Sequence, residues 1–149
     1  MKLTPTIEQI ALSIESWAQD VGWKTVGVRF ADEYHRQGGG SLIPVASDEK
    51  GIKNATQRVK RIFGLGGPRY LRMACMLESV ALAAMPKRRR VELESPRSPE
   101  LATARAMEAF SSAMSSITIR CPTATEKLVK AMDTLQALVP IIEQAILVT

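Results

Sequence analysis

Apolar residues recur along this chain at the spacing of amphipathic helices. Over residues 5–20, isoleucine, alanine and tryptophan side chains fall at i, i+3, i+4 and i+7, which places them on one face of a helix. Thr4 is expected to cap this helix and Gly22 to end it. A second helix is predicted over residues 25–37, although the near alternation of apolar residues at 23–30 also suits a strand.

Two further helices are predicted before residue 86. The third, over residues 48–63, begins at the capping residue Asp48 and has apolar side chains on one side only. The glycine-rich segment 38–47 before it is predicted to be a mobile loop. The fourth helix, over residues 68–85, is apolar on nearly all sides. We therefore expect it to be the centre of a small core, with Cys75 among the core side chains.

The composition changes after residue 86. Residues 87–98 combine dense charge with nearby prolines, which is typical of a linker between domains. Ser98 is a capping residue for a helix that begins at Pro99, and a last helix follows Pro122. The pattern therefore divides the chain into a helical domain over 1–86, a basic linker over 87–98 and a helical hairpin over 99–149.

The large apolar residues of the hairpin alternate between spacings of four and three positions, as in a heptad repeat. This heptad seam consists of Met107, Phe110, Met114, Ile117, Leu128, Met132, Leu135, Val139, Ile142 and Ile146. Two short helices cannot bury both apolar faces alone, so the hairpin is predicted to self-associate into an antiparallel bundle. A tetramer is favoured and a dimer is possible. The alternative is a hairpin folded back onto the N-terminal core, because wide apolar faces suit either packing.

Charge is distributed very unevenly along the sequence. The 149 residues include 20 Lys and Arg and 15 Asp and Glu, for a net charge of +5. Residues 50–90 contain eleven basic residues and one acid, Glu78, whereas the segments before and after them are slightly acidic. Such a distribution indicates a surface for a polyanion.

The third helix has the residue types that contact DNA bases. Its residues Lys53, Asn54, Gln57, Arg58 and Arg61 fall within about 140° of one another around the helix, at about 100° per residue. Arg and Lys donate to guanine, while Asn and Gln form paired hydrogen bonds with adenine in the major groove. The alternative is a merely basic, solvated helix face, since charge patterning alone identifies no ligand.

Other basic residues flank this helix in the sequence. Arg69 and Arg72 begin the next helix, where the helix dipole and the guanidinium groups together suit a phosphate. The run 87–90 is either a second phosphate contact or simply a charged linker. The predicted DNA-contacting residues are Lys50, Lys53, Asn54, Gln57, Arg58, Lys60, Arg61, Arg69, Arg72, Lys87, Arg88, Arg89 and Arg90. Because aromatic residues are few, double-stranded DNA is favoured over single strands.

Catalysis is not expected from this sequence. His35 is the only histidine, no cysteine or histidine pair has metal-ligand spacing, and the Gly64–Pro68 stretch lacks the ending of a phosphate-binding loop. We therefore predict no enzyme activity, metal, cofactor or small-molecule substrate; an enzyme acting through His35 is the weakest alternative. The absence of a long apolar run and the two cysteines predict a cytoplasmic protein without a membrane segment.

Several stretches occur in a recognisable order. They are Met1-Lys2-Leu3 before a helix with Trp17, a helix over 26–37 that ends in glycine, the sequence NATQRVKRIF over 54–63, and a Leu/Ala helix that starts at Pro68 and closes with Met85-Pro86. Over the first 90 or so residues, this order resembles the YdaT family of prophage proteins. Members of that family look like phage CII-type transcriptional regulators and are also classed as toxins.

The resemblance implies an all-α fold with a DNA-binding domain of helix-turn-helix or POU-like type. It also implies that the C-terminal helices form a tetramer and that the helix over 48–63 is the recognition helix. Segment 38–47 is much longer than the usual tight turn before such a helix. The expected function is a sequence-specific, oligomeric transcriptional regulator of phage type. The alternative is a prophage toxin or adaptor that binds a host protein.

Overall fold

The computed structural model describes residues 2–148, and within this range the chain forms eight α-helices and no β-strand. The helices are α1 (Ile7–Val21), α2 (Trp23–Arg36), α3 (Glu49–Phe63), α4 (Pro68–Met76), α5 (Glu78–Ala84), α6 (Lys87–Glu94), α7 (Pro99–Thr118) and α8 (Ala124–Val148). They divide into an N-terminal unit, Lys2–Glu94, and a C-terminal unit that starts at Ser95. The all-α prediction is confirmed.

Capping residues set where the first and third helices begin. Thr6, not the predicted Thr4, caps α1: its hydroxyl accepts from the amide of Gln9 at 3.2 Å, and the Gln9 side chain accepts from the Thr6 amide at 2.9 Å. This reciprocal pair satisfies two free amides, an arrangement that Thr4 lacks because Ile7 stands three residues after it. Asp48 caps α3 as predicted, accepting from the amide of Gly51 at 2.7 Å.

The predicted fourth helix over 68–85 is wrong in one respect, because Leu77 divides it into α4 and α5. Leu77 is buried, as are Ala74 in α4 and Ala81 in α5. Cys75 is exposed, so the prediction that Cys75 fills the core is also wrong. A helix that is apolar on all sides has no single inward direction, so its sequence did not reveal this break.

The core of the N-terminal unit lies among α1, α2, α3 and α5. Its largest fully buried side chains are Trp17, Phe30, Ile10, Ile14, Ile43, Ile62, Val26 and Val59. The Phe30 and Phe63 rings lie 5.3 Å apart between centroids, a distance typical of favourable aromatic pairs. Helices α2 and α3 approach very closely at Gly27, where a Cβ atom would lie 2.5 Å from the Thr56 hydroxyl oxygen. This close packing fixes α3 against α2 and leaves the opposite side of α3 in solvent.

The structure differs from the predicted linker over 87–98, because residues Lys87–Glu94 form helix α6 within the N-terminal unit. Arg89 donates to the Ser16 hydroxyl at 3.0 Å and also pairs with Asp20, both on α1. Leu93 packs against the core. Arg89 therefore contacts residues of α1 that lie about 70 positions earlier in the sequence. Local composition could not predict these contacts.

In the C-terminal unit, α7 and α8 pack against each other as a helical hairpin. Ser98 caps α7 as predicted, accepting from the amide of Leu101 at 3.1 Å. The buried positions toward the middle of the hairpin are small: Ala106, Ala113, Ser116 and Ala131. Helix α8 continues as one helix through Pro140. The buried positions of the hairpin are therefore mostly small, with Leu101 near the start of α7 as the exception, and none of them belongs to the heptad seam.

Candidate functional site

Helix α3 turns one polar side to the solvent. Its buried positions, Ala55, Val59 and Ile62, are fully covered by the rest of the N-terminal unit. The side chains on the opposite side are exposed and comprise Lys50, Lys53, Asn54, Gln57 and Arg61. We call these five residues the α3 face. The sequence predicted all five, and the structure brings them together on one surface.

Two other predicted residues of α3 contact the protein itself. The Lys60 Nζ lies 5.8 Å from the centroid of the Trp23 ring, a cation–π distance. The half-buried Arg58 donates from Nε to the carbonyl oxygen of Leu42 at 3.1 Å. Both residues border the α3 face, but each has a structural contact that their charge alone did not predict.

The loop over 38–47 is held against α2 and α3, contrary to the prediction of a mobile segment. The amide of Leu42 donates to the Tyr34 hydroxyl at 3.2 Å, and the Nε2 of His35 lies 2.8 Å from the carbonyl oxygen of Ile43. Ile43 itself is fully buried. The apolar run over residues 42–46 within this glycine-rich loop was the available sign of an anchor, but the sequence did not show which residues would bind the loop.

The anchored loop forms one wall of a groove whose other wall is α3. Ser41, Leu42 and Pro44 line the loop side of this groove, which has a volume of about 300 Å³. Asn54, Gln57, Arg58 and Arg61 line the helix side. We call this feature the loop groove. Sequence reasoning identified its helix side and missed its loop side, because nothing local indicated that segment 38–47 folds back along α3.

The remaining predicted DNA-contacting residues differ from one another in their surroundings. Arg69 and Arg72 are exposed on α4. In the run 87–90, Lys87 and Arg88 are exposed, whereas Arg89 and Arg90 are half-buried. Carboxylates accompany three of these four residues: Arg88 has Glu92 at 3.4 Å, Arg89 pairs with Asp20, and Arg90 lines a surface groove together with Glu78 and Glu94. The run is therefore less suited to clamp a phosphate than its sequence indicates.

The hairpin of the C-terminal unit has one polar and one apolar side. Arg105, Glu108 and Ser112 of α7 and Lys127 and Lys130 of α8 line a groove of about 500 Å³. Measured around each helix from Arg105 or Lys130, the heptad seam lies about 120° to 200° away. Its side chains are exposed apart from Ile142, which is half-buried; Met107 is 66% exposed and Met132 is 54% exposed. On both helices, the heptad seam therefore lies on the side opposite the polar groove.

Hydrogen bonds perturb a few titratable groups. The guanidinium of Arg36 and the amide of Gln37 lower the pKa of Glu33 at the end of α2. The Thr123 hydroxyl, 3.1 Å from the Cys121 sulfur, lowers the pKa of that thiol.

Across residues 2–148, no three metal-binding side chains of the His, Cys, Asp or Glu type lie together. None of the helices described is long and apolar enough to cross a membrane.

Comparison with known proteins places this chain in a family. The family described as Bacterial toxin ydaT matches residues 9–137, which include both the α3 face and most of the hairpin. No curated protein and no solved structure matches the chain. Since the match extends over most of the sequence, the chain belongs to the Bacterial toxin ydaT family.

Proposed function

We propose that this protein binds duplex DNA through the α3 face and acts as a sequence-specific transcriptional regulator. The observation that carries the proposal is the composition of that face. It presents three cations and two amides to solvent, and no acidic residue occurs between Lys50 and Arg72. A solvated helix face more often mixes Glu with Lys for charge pairing. Cations attract the phosphates and donate to guanine, and the amides of Asn54 and Gln57 suit adenine.

The hairpin supports an oligomeric form of this regulator. The buried residues of the hairpin include none from the heptad seam, so the seam is available to a second copy of the chain. A contiguous apolar face of this kind marks an interaction surface, and its alternating four- and three-residue spacing suits knobs-into-holes packing with the same seam. A tetramer is favoured and a dimer is possible. Linked recognition helices would bind repeated half-sites more tightly through their effective concentration.

The experiment is a titration of labelled duplexes from prophage promoter regions at several salt concentrations. For Z phosphate contacts, the logarithm of the binding constant should fall against the logarithm of salt with a slope of about −0.9Z. Gln57→Ala should reduce the preference for the best duplex, while Arg69→Ala should weaken all duplexes alike. Lys24→Ala, an exposed cation on α2, is the matched control. Absence of binding, or binding that does not respond to salt, would contradict the proposal.

The second candidate is a toxin or adaptor that binds a host protein, and the family description is the observation in its favour. The test is growth inhibition on expression, compared between the wild type and Lys53→Ala/Arg61→Ala. This double variant removes charge from the α3 face without disturbing the bond between Arg58 and Leu42. Inhibition that persists after duplex binding is lost would favour a host-protein target; inhibition lost together with duplex binding would favour DNA.

A further inference from the structure

Five of the seven residues that line the loop groove have a side-chain donor for an anion. Arg58 and Arg61 contribute two guanidinium groups, Asn54 and Gln57 two amides, and Ser41 a hydroxyl, whereas no carboxylate lines the groove. A guanidinium carries five N–H donors, so the bond from Arg58 to Leu42 leaves donors for a ligand. Guanidinium groups match the geometry of phosphate oxygens in particular.

The wall that carries Ser41 is fixed before any ligand arrives. Leu42 is bound through its amide to Tyr34 and through its carbonyl oxygen to Arg58, and the adjacent Ile43 is fully buried. Binding therefore need not include the entropic cost of ordering this part of the loop. The Arg58 guanidinium that holds this wall also lines the groove. The position of the wall and part of the positive charge of the groove therefore depend on one residue.

We infer that the loop groove is a phosphate-binding site in which Ser41, Arg58 and Arg61 hold one phosphate group. This inference rests on the proposed function, in which the phosphate belongs to the DNA backbone beside the bases that the α3 face contacts. Loop 38–47 is then a second element of the interface and fixes the register of α3 on the duplex, as phosphate contacts do in general. The same chemistry would also accept a free phosphate or phosphate ester.

A double-mutant cycle on the full-length chain tests the site, with the affinity for a labelled duplex as readout. Ser41→Ala removes one neutral donor from an exposed side chain and should weaken binding by about three- to tenfold, since a hydrogen bond to a charged group is lost. In an Arg61→Gln background the loss should be smaller by about threefold or more, because both residues hold the same phosphate. In an Arg69→Gln background, outside the groove, the effect of Ser41→Ala should be unchanged within about twofold.

A second measurement distinguishes the source of the phosphate. Inorganic phosphate is titrated into the full chain and followed by NMR at the Ser41 amide and the Nε groups of Arg58 and Arg61, with chloride at equal ionic strength as the control. If the wild type binds duplexes and the cycle shows coupling, the site holds a backbone phosphate. If the wild type binds no duplex but phosphate shifts these signals, and Arg61→Gln abolishes the shifts, the proposed function fails and the site serves a free phosphate group.

Two outcomes overturn the inference. In the first, the wild type binds duplexes but Ser41→Ala has no effect, or its effect is equal in both backgrounds; DNA binding then stands without the groove. In the second, the wild type binds no duplex and inorganic phosphate shifts none of the three signals.

Discussion

The Nε of Arg58 donates a hydrogen bond to the carbonyl oxygen of Leu42 across 3.1 Å, which joins the middle of α3 to the loop that precedes it. The neighbouring Leu42 amide is bound to the hydroxyl of Tyr34, so a single loop residue is held from two helices. A residue that the sequence assigned to contacting DNA therefore also shapes the surface that would contact it.

Removing either the Tyr34 or the Arg58 bond to Leu42 should release the loop. Only the loss of Arg58 should also remove a positive charge from the surface proposed to bind DNA. We expect Tyr34→Phe and Arg58→Ala both to accelerate hydrogen exchange at the Leu42 amide and its neighbours, each at a cost of about 0.5–1.5 kcal/mol in stability. Only Arg58→Ala should also reduce the salt slope of duplex binding, by about 1. Unchanged exchange in both variants would mean that these bonds do not hold the loop.

Gly27 should be intolerant of even one added methyl group. In Gly27→Ala the new Cβ would meet the Thr56 hydroxyl oxygen at 2.5 Å and the Thr56 Cα at 2.7 Å, so α2 and α3 must separate. We expect urea unfolding to show a loss of about 1–3 kcal/mol, the usual cost of overpacking. The matched control is Gly66→Ala, where nothing lies within 4 Å of the added atom, and its stability should change by no more than about 0.5 kcal/mol. Equal stabilities for the two variants would contradict the close packing.

A charge placed in the heptad seam should dissociate the oligomer. Phe110, half exposed in the single chain, would be covered in the proposed assembly, so Phe110→Glu should lower the mass seen by light scattering to that of a smaller species. Ser112→Glu adds the same charge on the polar side of α7 and should leave the mass unchanged. If both variants keep the wild-type mass, or the wild type is itself monomeric, the seam is not the assembly surface.

The Cys121 thiol should ionise at a lower pH than an ordinary thiol, because the Thr123 hydroxyl lowers its pKa. The thiolate is the form that reacts with an alkylating reagent. In a Cys75→Ser background, the alkylation rate plotted against pH should therefore have its midpoint below the pKa of an ordinary cysteine. Thr123→Val should raise that midpoint and slow alkylation at neutral pH, while Thr123→Ser keeps a hydroxyl and should resemble the wild type. An equal midpoint in the Val and Ser variants would exclude a role for the hydroxyl.

The parts of the fold that could be predicted from sequence are those encoded within a few neighbouring residues. The caps at Asp48 and Ser98 and the polar side of α3 depend on spacings of three or four residues, and the predictions agree with the structure there. The break at Leu77 and the helical form of residues 87–94 depend on packing between distant segments. Local composition contains no information on such partners.

The candidate site also has one part that local sequence could predict and one part that depends on distant contacts. The α3 face could be derived from helical periodicity, whereas the position of Ser41 across the groove depends on Ile43 entering the core and on bonds from Tyr34 and Arg58. For the hairpin, periodicity found the heptad seam but not its orientation. The buried positions are mostly small residues such as Ala106 and Ala113, and small residues contribute little to an apolar pattern.

The small side chains between α7 and α8 have a consequence for when the hairpin is stable. Among residues 99–147, Leu101 is the one large side chain that is buried, so the hairpin on its own buries little apolar area and gains little free energy from folding. If copies associate through the heptad seam, most of its stability comes from that association and rises with protein concentration by mass action. The helical order of residues 99–148 would then increase with the concentration of the protein. The protein would acquire its multivalent form only above a threshold concentration in the cell.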